Sequence, residues 1–329
     1  MRVFSTCWNS RRQTDGAEMI DEILSLGFDH IELSHGLSTS LLPGILQRVS
    51  DGAVRIAGVH NFFPAPLDVQ GDAPDAFQFT SHRHAERRRA LDLTKKTIER
   101  ASELHASYVV LHMGSIPLLP ADECTRKLER MARQGLVGSR EYAEFKGKLA
   151  RKREKLAPLY FERARAALRE LADFAEGSGL VLGVEGRSHF EQMPGEDEAL
   201  ELMKEFADTP QVGYWHDFGH IQRKHNLLLL DHVQFLARMQ PYLIGGHVND
   251  VRWPARDHRV PFTAARWISP RSLVSLMRRC LFPGNSVLPA RPKKYEPPAR
   301  SGTPRSASEL TIGPQGSHPA CRRAPSDLT

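Results

Sequence analysis

Short apolar segments alternate with longer amphipathic segments through most of this chain. Between the first two apolar segments, Met19, Ile20, Ile23 and Leu24 form the stripe of an amphipathic helix. Strand and helix patterns that alternate at this spacing predict a parallel sheet covered by helices. The seven predicted strands lie in residues 3–7, 30–33, 54–60, 108–113, 180–185, 214–217 and 243–247.

Seven strand-helix units are one short of the eight that close a TIM barrel. We therefore predict an α/β fold of the TIM (β/α)8 type whose last β/α unit is missing or replaced. Residues 1–263 form the predicted barrel domain. Residues 121–156, which are dense in Lys, Arg and Glu, form a predicted helical insertion over the barrel mouth, where it would act as a lid.

The C-terminal 66 residues, 264–329, differ in composition from the rest of the chain. They contain 10 of the 22 prolines, with Ser and Arg between them, and they show no convincing strand. Such a composition is typical of a disordered tail. The codons that follow Thr263 can also be read in a frame shifted by two bases. In that frame they can encode a Gly-x-x-Asp-Phe sequence, which is typical of a helix start, and then a strand that ends in Glu. A frameshift near Thr263 is therefore a second explanation of the tail.

The net charge of +6 is not evenly distributed along the chain. Residues 266–329 contain 9 Arg and 2 Lys against 3 acidic residues, a charge of +8, so the preceding 265 residues carry −2. A slightly acidic folded part does not favour a nucleic-acid partner. The four cysteines show no CxxC spacing, and neither a signal peptide nor an apolar run of about 18 residues occurs. We expect a cytoplasmic protein with no membrane partner.

Three consecutive apolar segments end in residues that can bind a metal ion. Glu185 ends the fifth predicted strand, Asp217 the sixth and His247 the seventh. Carboxylate oxygens and an imidazole nitrogen that converge at successive strand ends can hold one divalent ion. An acid buried at the end of an apolar strand also needs a partner, because burying an unpaired charge is costly. The sequence thus predicts a divalent-metal site formed by these three residues.

These strand-end residues resemble those of the xylose-isomerase-like TIM barrels, a superfamily that includes sugar isomerases, sugar epimerases and the AP endonuclease family 2 enzyme endonuclease IV. The resemblance covers residues 1–263. It implies that Glu185, Asp217 and His247 are three of four shared metal ligands and that Glu185 is also catalytic. It further implies substrate contacts for His220, three residues after Asp217, and for Glu191, six residues after Glu185.

Three further histidines do not decide between the epimerase branch and the endonuclease branch of the superfamily. His60 and His112 lie at strand ends and are substrate or metal contacts in several branches. His258 lies in Arg256-Asp257-His258, where the endonuclease branch has an Asp-x-His element, and the arginine at the first position disfavours a three-zinc site. We therefore expect all three histidines to contact substrate.

The resemblance implies a divalent-metal-dependent sugar or sugar-phosphate isomerase or epimerase that moves a proton through an enediolate. The ion would be Mn, Mg, Co or Zn, and the partners a small sugar or sugar phosphate and, in a homo-oligomer, a second copy of the chain. The family's fourth ligand, a Glu after strand eight, is absent, which predicts weak metal binding and low turnover. The alternatives are an endonuclease IV-like phosphodiesterase acting on abasic DNA and a catalytically inactive binding barrel.

Overall fold

The computed structural model describes residues 1–67, 74–118, 123–261 and 310–312. The barrel strands are β1 (Val3–Ser5), β2 (His30–Leu33), β3 (Arg55–His60), β4 (Tyr108–Leu111), β6 (Val181–Glu185), β8 (Val212–Asp217), β9 (Leu243–Val248) and β12 (Leu310–Ile312). Two short hairpins stand outside the barrel, one of β5 (Gly114–Ser115) with β7 (Gln192–Met193) and one of β10 (Asp250–Arg252) with β11 (Arg256–Arg259). The helices are α1 (Gly16–Ser25), α2 (Leu42–Ser50), α3 (His84–Glu103), α4 (Glu123–Arg133), α5 (Arg140–Ala175), α6 (Glu196–Glu205), α7 (Phe218–Asn226) and α8 (His232–Met239).

The seven parallel strands expected from the sequence are all present. Each of them pairs in parallel with its neighbour in the order β1, β2, β3, β4, β6, β8, β9. In the described residues, a helix follows each of the first six parallel strands, and a hairpin follows β9. The TIM-type fold predicted from strand and helix alternation is therefore confirmed.

β12 occupies the gap between β1 and β9 and closes the barrel. It runs antiparallel to both neighbours, with Thr311 opposite Val3 on one side and opposite His247 on the other. The parallel eighth strand of a (β/α)8 barrel is thus replaced by an antiparallel one. The expectation of a tail without strands is wrong for these three residues, because two strand edges that lack a partner are available to pair with any extended segment. The remainder of 264–329, including the proposed frameshift point, lies outside the described residues.

Alternation of side chains along the strands separates two apolar clusters. Tyr108 and Val110 point into the barrel and pack with Val3, Ala57 and Trp215, whereas the intervening residues of β4 face the helices. The rings of Tyr108 and Trp215 stack with their centroids 4.4 Å apart. This apolar plug fills the barrel interior below the polar strand ends.

The predicted insertion at 121–156 contains α4 and the first half of α5. α5 does not end with the insertion but continues to Ala175, where it is the helix that precedes β6. None of the described residues of α4 or α5 lines the cavity at the barrel mouth. In the part of the chain described, no helix is both long and apolar enough to cross a membrane.

Candidate metal and sugar site

A cavity of about 450 Å³ opens at the carboxyl ends of the barrel strands. This is the end at which TIM barrels carry their active sites, and the volume suits a small molecule. Polar and ionisable residues dominate its lining, which includes Glu32, His35, His60, Asp75, His112, Glu185, Arg187, His220, His247, Asp257 and His258.

The three predicted metal ligands converge at one point, where Glu185 and His247 line the cavity and Asp217 lies directly behind them. Nδ1 of His247 lies 2.8 Å from Oε1 of Glu185 and 3.6 Å from Oδ2 of Asp217. One donor atom from each residue lies within 4.8 Å of the other two, and all three side chains are buried. Two carboxylates and one imidazole form an oxygen-rich donor set of the kind that suits a divalent ion.

Both carboxylates of this cluster remain ionised in spite of their burial. Burial alone would raise the pKa of Glu185, but His112, His247 and His60 outweigh it and hold this pKa well below its usual range. Burial would likewise raise the pKa of Asp217, yet His220 and the hydrogen bond with His247 bring it to about 2. A metal ligand must be deprotonated, so these carboxylates are in the form that binds an ion.

The N-terminus of α7 orients Asp217. Its Oδ1 accepts a hydrogen bond of 2.6 Å from the backbone N–H of His220, which makes Asp217 the cap of the helix. The side-chain amide of Asn249 donates to both Asp217 oxygens, at 3.2 and 3.0 Å. Gly219 is required beside them, since a Cβ at that position would lie 1.7 Å from Oδ1 of Asn249.

His60 and His112 approach Glu185 from β3 and from the end of β4. Nε2 of His112 lies 2.5 Å from Oε2 of Glu185, and Nε2 of His60 lies 3.5 Å from the same oxygen. Burial and the neighbouring His35 lower the pKa of His60 to about 4. Burial and Arg187 would lower the pKa of His112, but Asp75 and Glu185 outweigh them and raise it.

His220 and His258 lie on the opposite side of the cluster. Nδ1 of His220 is 3.0 Å from the carbonyl oxygen of Gly186 and 3.8 Å from Oδ2 of Asp217. The His258 ring is 5.3 Å from the His220 ring and is more exposed, on a backbone with φ of 53°. Both side chains line the cavity.

Glu191 does not lie where the sequence placed it. Its carboxylate is buried outside the cavity lining and accepts a hydrogen bond of 2.6 Å from Oγ1 of Thr125. The physical reason is the direction of the side chain: Glu191 points toward Thr125 of α4, whereas the next residue, Gln192 of β7, lines the cavity. The described structure therefore shows no route from Glu191 to a substrate in this cavity.

Sequence reasoning missed Glu32, Asp75 and Arg187, which all line the cavity. Glu32 carries the signal used for Glu185, an acid near the end of an apolar strand, although Leu33 follows it in β2. Asp75 follows a segment rich in Pro, Asp and Gly, where no periodicity indicates its position. It bridges Nδ1 of His112, at 3.1 Å, and Nη2 of Arg187, at 2.7 Å.

Comparisons with known proteins show the fold family of this chain. A family model described as a xylose isomerase-like TIM barrel matches residues 20–290. A D-tagatose 3-epimerase-like protein superposes with a TM-score of 0.58 at 19% identity, covering 85% of this chain and 86% of that one. The IolI protein with a bound zinc atom gives 0.57 at 14% identity, covering 85% of each chain. No curated protein matches the sequence.

A further solved structure is D-allulose 3-epimerase from Methylomonas sp. in complex with D-allulose. It superposes with a TM-score of 0.55 at 14% identity, covering 85% of this chain and 80% of that one. Identities this low establish the shared fold and leave the substrate of this chain to its own site residues.

Proposed function

This chain belongs to the xylose isomerase-like TIM-barrel family, and from that premise we propose that it is a divalent-metal-dependent sugar or sugar-phosphate isomerase or epimerase with low turnover. The observation that carries the proposal is the convergence of Glu185, Asp217 and His247 below a polar cavity of about 450 Å³. The structural neighbours include epimerases, which supports the same class of reaction.

The donor set of these three residues fits a divalent cation. Both carboxylates are ionised and His247 directs Nδ1 toward them. When bound, the cation supplies positive charge that polarises a carbonyl group. Oxygen-rich ligation with one imidazole is compatible with Mn, Mg, Co or Zn.

Glu185 is the proposed acid-base residue of this site. An epimerase or isomerase removes a proton from the carbon next to a carbonyl, which gives an enediolate, and returns it on the other face or at the neighbouring carbon. Glu185 is ionised, so it can accept that proton. The proposed substrate contacts are the imidazoles of His60, His112, His220 and His258, which line the cavity and can hydrogen-bond sugar hydroxyls.

The described part of the eighth strand contains no glutamate, and this is why we propose low turnover. Leu310, Thr311 and Ile312 occupy the eighth position of the barrel, and none of them is a carboxylate. Proton transfer on both faces of a substrate needs a second acid-base group opposite Glu185. Among the described residues, no acid from the eighth strand supplies it.

Metal binding and epimerisation in two single variants test this proposal. Glu185→Gln and His247→Ala should each abolish detectable Mn²⁺ binding in calorimetry, because each removes one of the three ligands and a lost ligand weakens a site by several kcal/mol. Glu103→Gln, which alters an exposed ion pair with Arg100, is the matched control. Ketoses converted by the wild type and not by Glu185→Gln would support the function. Unchanged Mn²⁺ binding in both variants would refute the site.

A second candidate function, hydrolysis of the backbone at abasic sites in DNA, rests on a specific feature of the same cavity. Two further groups of residues can each hold an ion beside the first, namely His60, His112 and Glu185 on one side and Asp217, His220 and His258 on the other. Three adjacent metal ions are the arrangement expected of the endonuclease branch. Against it, Asp257 pairs with Arg223 at 3.1 Å, and the exposed Arg256 stands where that branch has an acid.

Metal stoichiometry separates the two functions. A purified protein that binds one ion per chain and converts a ketose supports the epimerase. Three ions per chain together with cleavage of an abasic duplex would support the phosphodiesterase instead. One ion without either activity would indicate an inactive binding barrel.

A further inference from the structure

The guanidinium group of Arg187 is buried at the cavity wall with part of its hydrogen-bonding capacity unused. The residue is only 2% exposed and follows Glu185 by two positions at the end of β6. Nη2 donates to Oδ2 of Asp75 at 2.7 Å. Nε and Nη1 have no hydrogen-bond partner among the described residues, and Nη1 lies 3.7 Å from Oε2 of Glu185, beyond hydrogen-bonding distance.

A buried cation whose N–H donors lack an acceptor lowers the stability of the folded protein. Arginine stays protonated in proteins, and a buried charged group that loses water needs a replacement acceptor. We propose that the substrate of this cavity carries an anionic oxygen group, a carboxylate or a phosphate, which accepts hydrogen bonds from Arg187. This inference rests on the proposed sugar chemistry and specifies the substrate class for it.

The partners of the acidic residues in the cavity favour an anion over a neutral hydroxyl. Glu32 pairs with His247, and Asp257 pairs with Arg223. Asp75 bridges Arg187 and His112, while Glu185 lies within 4 Å of four histidines. These carboxylates are therefore already neutralised by positively charged or hydrogen-bonding neighbours.

The mouth of the cavity carries additional positive charge. Arg256 is exposed and Arg259 is partly buried, and neither forms an ion pair with a residue that the structure describes. Arg12, also at the mouth, is engaged by Glu22 in contacts of 2.7 to 3.1 Å. Arginine is well suited to carboxylate and phosphate oxygens, because its planar donors match the geometry of these groups. Arg256 and Arg259 would attract an anion that Arg187 then binds.

Three sugars with the same carbon skeleton test the inference in the Mn²⁺-loaded protein. D-Fructose has a hydroxyl at C1, 2-keto-D-gluconate has a carboxylate there, and D-fructose 1-phosphate has a phosphate. We expect at least one of the two anions to bind roughly tenfold tighter than D-fructose in calorimetry. Whichever anion is preferred identifies carboxylate or phosphate as the recognised group. Equal affinities for all three sugars, including no measurable binding, would overturn the inference.

Variants assign the preference to Arg187. Arg187→Met should remove the difference between anionic and neutral sugars, whereas Arg187→Lys should keep part of it because the charge remains. The matched control is Arg169→Met, an exposed arginine that pairs with Glu205 far from the cavity. If Arg187→Met fails to fold in a thermal melt, the comparison of wild type with Arg187→Lys decides. An anion preference that survives in a folded Arg187→Met variant would overturn the assignment.

The same experiments separate this inference from the proposed function. Tight anion binding without conversion of any sugar would leave the inference standing and refute the isomerase or epimerase. Conversion of neutral ketoses without an anion preference would support the isomerase or epimerase and refute the inference about Arg187.

Discussion

Carboxylates hold the imidazole of His247 on both sides. Nε2 lies 3.1 and 3.2 Å from the two oxygens of the buried Glu32, and Nδ1 faces Glu185 and Asp217. A proton on Nε2 can donate to Glu32, so Nδ1 is the nitrogen that would bind a metal ion, in place of the hydrogen bond that it makes to Glu185 in the metal-free protein. Glu32 itself is a positioning residue and not a ligand, because the His247 ring separates it from the cluster and Tyr108 donates to its Oε2 at 3.0 Å.

Glu32→Gln should therefore weaken Mn²⁺ binding by about 10–100-fold, the usual effect of losing a hydrogen-bond partner of a metal-bound histidine. The affinity is measured by calorimetry, and the ¹⁵N shifts of His247 in the metal-free protein should show less protonation of Nε2. Glu103→Gln serves again as the control, since that glutamate is exposed. If Glu32→Gln binds Mn²⁺ with wild-type affinity and the protonation of His247 Nε2 is unchanged, this role is ruled out.

At the scale of elements, buried polar contacts connect the helices to the strand ends. Thr125 on α4 donates to the Glu191 carboxylate and thereby ties this helix to the loop before β7. Arg223 on α7 contacts Glu129 of α4 and lies 3.1 Å from Asp257 of β11. These contacts fix α4 beside the cavity without placing any of its described residues in the cavity wall.

Thr125→Val should lower the free energy of unfolding by about 1–3 kcal/mol, because the buried Glu191 carboxylate loses a donor. Sugar affinity should stay unchanged, since Glu191 does not line the cavity. Denaturant melts measure the first effect and calorimetry the second, with the exposed Thr39→Val as the control. A loss of sugar binding without a loss of stability would restore the substrate contact expected of Glu191.

A second element-scale contact joins β8, α7 and α8 through buried imidazoles. Nε2 of His232 lies 3.0 Å from Nε2 of His216, and its Nδ1 lies 3.0 Å from Oε1 of Gln222. Burial, with His216 and His225 nearby, lowers the pKa of His232 well below its ordinary value of 6.5. The folded state thus keeps this imidazole neutral, whereas the unfolded chain protonates it below that pH.

Below pH 6.5 the unfolded state therefore binds more protons than the folded state, so the free energy of unfolding falls as the pH decreases. Above pH 6.5 the imidazole is neutral in both states and causes no loss of stability. His232 alone should contribute a slope of up to about 1.4 kcal/mol per pH unit. Denaturant melts between pH 7 and pH 5 should show a shallower slope in His232→Gln than in the wild type. The exposed His84→Gln is the control, and equal slopes in wild type and His232→Gln would contradict the assignment.

At the scale of the whole molecule, barrel closure depends on three residues of the tail. Without β12, the edges of β1 and β9 would have no strand partner among the described residues. An open edge loses ladder hydrogen bonds and exposes the apolar plug to water. The pairing of β12 with both edges therefore predicts that this part of the tail contributes to stability.

Deletion of residues 310–329 should lower the thermal midpoint by about 2–4 °C for each kcal/mol of pairing that is lost. Deletion of 313–329, which keeps β12, should leave the midpoint near that of the full chain and is the matched control. Identical midpoints for the two deletions would mean that β12 contributes nothing to stability.

Restoring the shifted frame after Thr263 tests the frameshift hypothesis separately, because a parallel strand eight that supplies a Glu should raise both the thermal midpoint and the turnover.

The sequence by itself determined the seven parallel strands and the convergence of Glu185, Asp217 and His247. Strand and helix periodicities are local, and parallel strands bring their carboxyl ends to one face of a barrel wherever the chain goes between them. Residues that follow directly on apolar strands are therefore predictable. The same rule placed His60, His112 and His220 at the cavity.

Only the tertiary structure decided the positions of Asp75, Glu191 and β12. Asp75 reaches His112 and Arg187 from a loop without periodicity, and the Glu191 side chain faces Thr125 of α4 instead of the cavity. β12 is three residues in a proline-rich tail, and it became a strand because β1 and β9 offered unpaired edges. Each of these positions depends on a partner distant in sequence, which no local pattern records.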